Sequence, residues 1–209
     1  MGETLDRFPL FPLGIVLLPS EVVPLHIFEE RYRTMIGECR EADGEFGIVW
    51  LSDDGLREIG CTARVTKVLE EFDDGRSNIV VTGGQAFRLV RRIDDMAYPA
   101  GEIELLDDAA DAGGAGEALA DEARERYADL VELVTDERPA AEDLSGLDAF
   151  GMAATIEFDA GSKQELLELR SEAERLGYVR DLFVATMKRI AQSEEAGELA
   201  RSNGRIHIS

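Results

Sequence analysis

Positive charge is scarce in this chain. Only three lysines occur, Lys67, Lys163 and Lys188, and 22 lysines and arginines stand against 44 aspartates and glutamates, a net charge of −22. A surface of that sign repels phosphate backbones and anionic headgroups, so neither nucleic acid nor a membrane surface is an expected partner. The simplest meaning of the acidity is solvation and solubility; a basic partner surface is the sharper alternative. Cysteine is scarcer still. Cys39 and Cys61 lie far apart, with no CxxC spacing and no histidine close by, which fits two structural thiols in a reducing compartment. The apolar run from Phe8 to Leu18 is too short and too broken by proline to span a bilayer. Glu3 and Asp6 stand where a secretory signal would carry positive charge. A soluble cytoplasmic protein is expected.

The groups that chemistry needs are thin as well. Catalysis wants a nucleophile, a base and an orienting partner within reach. There are two histidines: His26 alternates with Leu25 and Ile27 in a strand-like run, and His207 lies in a polar tail. A lone histidine without a paired carboxylate or thiol motif reads as structural. The pairs Asp53-Asp54, Asp73-Asp74, Asp94-Asp95 and Asp107-Asp108 are sequence neighbours. In an extended chain neighbours face opposite sides and chelate poorly, and aspartate favours turns. No GxxxxGK[ST] phosphate loop occurs; Gly113-Gly114-Ala115-Gly116 has no lysine and follows no strand. No catalytic residue, metal site or cofactor is expected.

What the chain does have is an opening rich in proline. Between Phe8 and Ile36 it places Pro9, Pro12, Pro19 and Pro24, four of its six prolines, in an apolar run that turns abruptly charged. Proline fixes φ and lacks a donor, so the residues between are expected as short, bent edge strands, Val16–Leu18 and Val22–Ile27. A helix over 29–42 then carries Tyr32, Met35, Ile36 and Cys39 at helical spacing and stops before Gly44. Further strands read as Phe46–Leu51, Cys61–Val68, Asn78–Thr82, Phe87–Ile93 and Ala100–Leu106. Asp73-Asp74-Gly75-Arg76 makes a hairpin turn, and Gly83-Gly84 a break or bulge. Short strands cornered by glycine predict an antiparallel sheet closing toward a barrel, with the helix across one mouth.

Residues 107–116, DDAADAGGAG, read as a linker. Everything beyond is helical. Glu117–Thr135 sets Leu119, Ala123, Tyr127, Leu130, Val131 and Val134 on one face, and Leu147–Phe158 reads as a short buried helix. Ser162 with Glu165, and Ser171 with Glu174, read as capping boxes. The second opens a helix whose stripe is Leu176, Val179, Phe183, Met187 and Ile190. The expected organisation is a β-rich barrel over 1–106, a linker over 107–116, a helical subdomain over 117–195 and a flexible tail over 196–209.

Three stretches, in order, resemble the amino-terminal substrate-binding domain of Lon (La-type) ATP-dependent proteases. The first is FPLFPLGIVLLPSEVVPLHIFEERY, which holds Pro12, Pro19, Pro24, Phe28, Glu29, Arg31 and Tyr32. The second is Ile59-Gly60-Cys61 with the Asp74-Gly75 hairpin and Gly83-Gly84 before Phe87. The third is SKQELLELRSEAERL, 162–176. Two positions depart from the family: Glu30 stands where it has proline, and Ala86 where it has arginine. The resemblance implies an α+β fold, a PUA-like β pseudobarrel followed by helices. It also implies a stand-alone relative without the ATPase and protease modules. Such a relative would bind unfolded or extended polypeptides and act as an adaptor or recognition protein, with a protease or chaperone as a possible partner.

Glu29, Arg31 and Tyr32 read mainly as a staple pinning the helix to the barrel, with a role in lining a peptide groove as the alternative. Phe8, Phe11, Trp50, Phe72, Phe87 and Tyr98 are numerous for a small barrel and most are expected in its core; a few left exposed between barrel and helices would suit an apolar peptide, and a free strand edge could add main-chain pairing. Three other readings compete: an enzyme or binder of small molecules in that crevice, RNA binding by fold analogy, and a homodimer through the helical half.

Overall fold

A computed structural model describes residues 2–109 and 116–203. Its strands are β1 (Thr4–Leu13), β2 (Val22–Ile27), β3 (Phe46–Ser52), β4 (Gly55–Glu71), β5 (Ser77–Ile93) and β6 (Ala100–Leu105). Helix α1 (Glu30–Glu41) lies between β2 and β3. After the sheet come α2 (Gly116–Thr135), α3 (Ala141–Leu144), α4 (Ala149–Ala153), α5 (Ala160–Glu168) and α6 (Glu172–Asn203).

The strand order is β2-β5-β4-β3-β1-β6, and β6 also pairs with β5. Five strands therefore close a ring, and β2 hangs on its edge. The α+β pseudobarrel is as expected, except that one of its ladders is parallel, β1 with β3. The segment between those strands contains β2 and α1, long enough for the crossover that parallel neighbours require.

Val22–Ile27 forms a strand; Val16–Leu18 does not. The strand that opens the fold lies upstream and contains Pro9 and Pro12. Proline is tolerated there because each ring sits just past the end of a ladder. The Leu10 amide donates to the Pro99 carbonyl, and Pro12, two residues on, faces the same side beyond the last β1–β6 pair, Pro9 with Ala100. Pairing with β3 begins only at Leu10, after Pro9. Val16, Leu17 and Leu18 form instead a buried loop laced to β5: the Ser20 amide donates to the Gly83 carbonyl and the Gly83 amide to the Glu21 carbonyl, both at 2.9 Å. A Cβ on Gly83 would fall 2.0 Å from the Leu18 carbonyl oxygen, so the loop can close only on glycine.

The expected break at Gly83-Gly84 is a bulge. Pairing steps from Cys61–Ala86 to Ala63–Gly83, and the Thr62 hydroxyl accepts the Gln85 amide at 2.9 Å. The hairpin turn holds Gly75 at φ +82°.

Burial divides along the strands. Phe11 and Ile48 belong to a large core that takes in α1 and the helical half, whereas their neighbours Leu10 and Val49 join Phe87 and Ile103 in a smaller one. In that smaller core Gly47 and Gly60 leave a slot for the Phe87 ring. A Cβ would meet the ring at 2.5 Å from Gly47 and 2.7 Å from Gly60, and Gly60 would also strike the Ile48 carbonyl oxygen at 2.5 Å.

Helices α2 and α6 pack through Ala123, Tyr127 and Leu130 against Val179 and Phe183. Ser171 and Glu174 make the expected capping box, each side chain receiving the other's amide. The other expected box does not form. Asp159 caps α5, accepting the Ser162 amide at 2.9 Å, because it sits one position before the helix whereas Ser162 is already inside it. Leu147–Phe158 shrinks to α4, capped by Asp148. Helix α6 runs to Asn203, well into the segment 196–209 read as a flexible tail. Residues 204–209, and 110–115 of the linker, lie outside the described residues.

Candidate functional site

One end of the ring gathers strand ends. Leu10, Phe11, Pro12 and Leu13 of β1, Leu51 of β3, Leu56 of β4 and Arg92 of β5 face the β2–α1 junction and the strap 94–99 that leads into β6. Between them lies an open groove of about 700 Å3. Five of the eight motif residues line it: Pro12, Phe28, Glu29, Arg31 and Tyr32. The other three do not. Pro24 lies in edge strand β2, Pro19 faces a second crevice, and Gly60 backs the Phe87 slot.

The groove is apolar where it is open. Phe28 is 59% exposed and Leu51 52%. Phe28 stacks on His26 with ring centres 5.8 Å apart, and His26 meets Phe72 edge-on at 6.2 Å. His26 Nδ1 is hydrogen-bonded to Asn78 Oδ1 at 2.7 Å, and the Asn78 amide donates to Glu70. His26 thus belongs to an aromatic ledge, with an amide as its polar partner. Strand-edge pairing is poorly served beside it, since β2, the free edge, has Pro24 midway and lacks that donor.

The charged motif residues do not staple the helix to the barrel. Glu29 sits at the N-cap of α1 but caps nothing; it holds Arg31 at 2.7 Å. Arg31 in turn lies over the Tyr32 ring, 4.6 Å from its centre. The pair closes within one turn of chain. The helix is held by packing and by other charges: Tyr32 packs on Phe11 with centres 4.2 Å apart, Met35 and Ile36 are buried beneath, and Arg40 pairs with Glu71 of β4 at 2.7 Å. Burial is also the main cause that raises the Tyr32 hydroxyl above its ordinary pKa.

The strap is tied at two points. Tyr98 is buried and donates to Glu38 of α1 at 2.5 Å; burial first, then the Glu38 carboxylate, push its pKa up to about 12. Asp95 pairs with Arg7 at 3.1 Å. Arg7 itself holds φ +57° at the β1–β6 irregularity, so a strained residue anchors this wall.

The crevice between barrel and helices, where the sequence placed the binding surface, is smaller, about 460 Å3, and charged. Arg175 is 4% exposed; it pairs with Asp108 at 2.5 Å and Glu172 at 3.0 Å and lies over Phe150. Burial raises the Glu172 carboxyl above its usual range, against the opposing pull of the Ala149 amide and Arg175. Nearby, Lys163 of α5 pairs with buried Glu21, which also accepts the Leu18 amide. Gln164 donates to the Ile59 carbonyl at 3.2 Å. These contacts fasten the helices to the barrel.

Of the barrel aromatics, read mostly as core, Phe87 is fully buried and Phe11 and Tyr98 nearly so, while Phe8, Trp50 and Phe72 are partly buried. Leu51, Leu56, Arg92 and Met96 were not singled out by the sequence. Leu51 and Leu56 flank the Asp53-Asp54-Gly55 turn, and apolar residues beside an exposed turn were the available signal.

Neither thiol offers a thiolate. Burial pushes Cys39 up to about 11 and Cys61 higher still. Among the described residues no group of His, Cys, Asp or Glu is arranged to hold a metal ion, and no helix is long and apolar enough to cross a membrane.

The model of the ATP-dependent protease La (LON) substrate-binding domain matches residues 7–185, spanning barrel, groove and helices. The chain belongs to this family. A Lon protease of Paraburkholderia phytofirmans is 25% identical over 205 residues; the match takes in 91% of this chain and 25% of the relative, so the chain spans about a quarter of that protein's length. Two solved structures share the fold. The Lon N-terminal domain protein of Xanthomonas campestris has TM-score 0.61 at 23% identity, over 83% of this chain and 96% of that one. The N-terminal domain of the Mycobacterium avium complex Lon protease has TM-score 0.65 at 20% identity, over 87% and 98%. Membership of the Lon substrate-binding family supports binding of substrates or partners in general.

Proposed function

We propose that this chain is a non-catalytic module that binds extended polypeptide segments, and that the groove at the end of the ring is where they lie. The observation that carries this is the concentration of motif residues there, beside large apolar side chains left open to solvent. Phenylalanine and leucine left more than half exposed cost solvation in a lone protein and are expected where another chain will cover them. The groove's histidine is held by an amide and two rings, which supports a binding role.

The role is recognition, as an adaptor or as the reading part of a proteolytic system, acting in the cytoplasm. Fluorescence anisotropy with a labelled, permanently unfolded polypeptide tests it. Binding is expected, and Phe28→Asp with Leu51→Asp should abolish it while leaving the thermal midpoint within a few degrees of the parent. No binding to any unfolded chain, or unaltered binding by the double variant, contradicts the proposal.

A further inference from the structure

The charges lining the groove are unequal in one respect. Arg31 is already engaged, by Glu29 at 2.7 Å and by the Tyr32 ring. Arg92 is not. It stands one residue before the end of β5, is exposed, lines the groove, and among the described residues has no ion pair or side-chain hydrogen bond. That is unusual here, where the neighbouring arginines of the same strand, Arg88 and Arg91, pair with Glu104 and Glu102. In a chain carrying 44 carboxylates, a groove arginine with no partner is a vacancy for an external one.

We infer that the groove prefers extended apolar segments carrying a carboxylate, and that Arg92 is the residue that reads it. The inference rests on the groove being the polypeptide site. The apolar part of the segment covers Phe28 and Leu51, and its aspartate, glutamate or carboxyl terminus meets the guanidinium, which offers a planar fork of donors. Asp94, two residues on, lines the same wall and has no ion pair among the described residues, so it opposes a carboxylate there and sets a limit on the preference. The overall charge of −22 slows the approach of any acidic segment, so such a preference has to arise from local contact.

The test uses three labelled peptides of one phenylalanine- and leucine-rich sequence, with Glu, Gln or Lys at a single central position. The Glu peptide should bind the parent about three-fold tighter than the Gln peptide, in the range of exposed ion pairs, and the advantage should fade in high salt. Arg92→Gln should erase the advantage of the Glu peptide over the Gln peptide, and Asp94→Asn should enlarge it. Equal binding of the Glu and Gln peptides, or a preference that survives Arg92→Gln, overturns the inference. If all three bind equally and Phe28→Asp abolishes them all, the groove still stands as the site and only the carboxylate preference is lost. If none binds, the groove reading falls and this inference with it.

Discussion

Two clefts of this molecule differ in how they treat charge. At the crevice between barrel and helices Arg175 is drawn inward and paired with Asp108 and Glu172, and nearby Lys163 is paired with buried Glu21. At the end of the ring, charge stays at the rim and the open surface is apolar, Phe28 and Leu51. Buried pairs hold two parts of one chain in a fixed relation, because separating them leaves an uncompensated charge. Exposed apolar side chains hold nothing in the chain itself. One cleft is a joint and the other is a surface waiting for a partner.

Substitutions separate the two. The largest loss is expected in the ring itself. Phe87→Ala empties the slot made by Gly47 and Gly60 and should cost about 3–5 kcal/mol in chemical denaturation. At the joint, Lys163→Ala leaves Glu21 enclosed with the Leu18 amide and no cation, and should cost about 3 kcal/mol. Replacing both partners by apolar residues should recover most of that loss, and failure to recover would mean that the pair contributes something other than mutual compensation.

Smaller effects sharpen the contrast. Asp159→Ala removes the cap of α5 and should cost about 1 kcal/mol near neutral pH. The Ser162 amide and hydroxyl lower the Asp159 pKa in the folded state. A depressed carboxylate contributes stability above its unfolded pKa and loses it as pH falls through the folded value. The gap between parent and Asp159→Ala should therefore be full at neutral pH and close below the ordinary carboxylate range; a gap independent of pH would contradict the assignment. Smallest of all, Cys39 and Cys61 should ignore a disulfide reagent in the folded protein at pH 8 and both react once it is unfolded, since burial raises both thiols.

The joint was more legible in the sequence than the surface. Period-two strands, the Asp-Gly turn and the Ser171–Glu174 box are local signals, and each stands where its chemistry placed it. The β1 strand was hidden because Pro9 and Pro12 read as breakers; only the ends of the β3 and β6 ladders show that neither position needs a donor. The parallel β1–β3 ladder is long-range and leaves no local trace. Asp159 was overlooked as a cap because Ser162 and Glu165 match the capping-box spacing three residues later. The groove escaped for a similar reason. Phe28, the Leu51–Leu56 hairpin pair and Arg92 are far apart in sequence and meet only when the ring closes, while Arg31 and Glu29, close in sequence, suggested a staple they do not form.

Everything proposed for this molecule depends on the groove being a polypeptide site. Backbone amide NMR spectra recorded while an unfolded, apolar polypeptide is titrated in would test it most directly. Shifts should concentrate at Phe28, Glu29, Leu51, Leu56 and the strap 94–99, and leave Lys163, Glu172 and Arg175 unmoved. Shifts confined to the joint between barrel and helices, with the end of the ring silent, would contradict it.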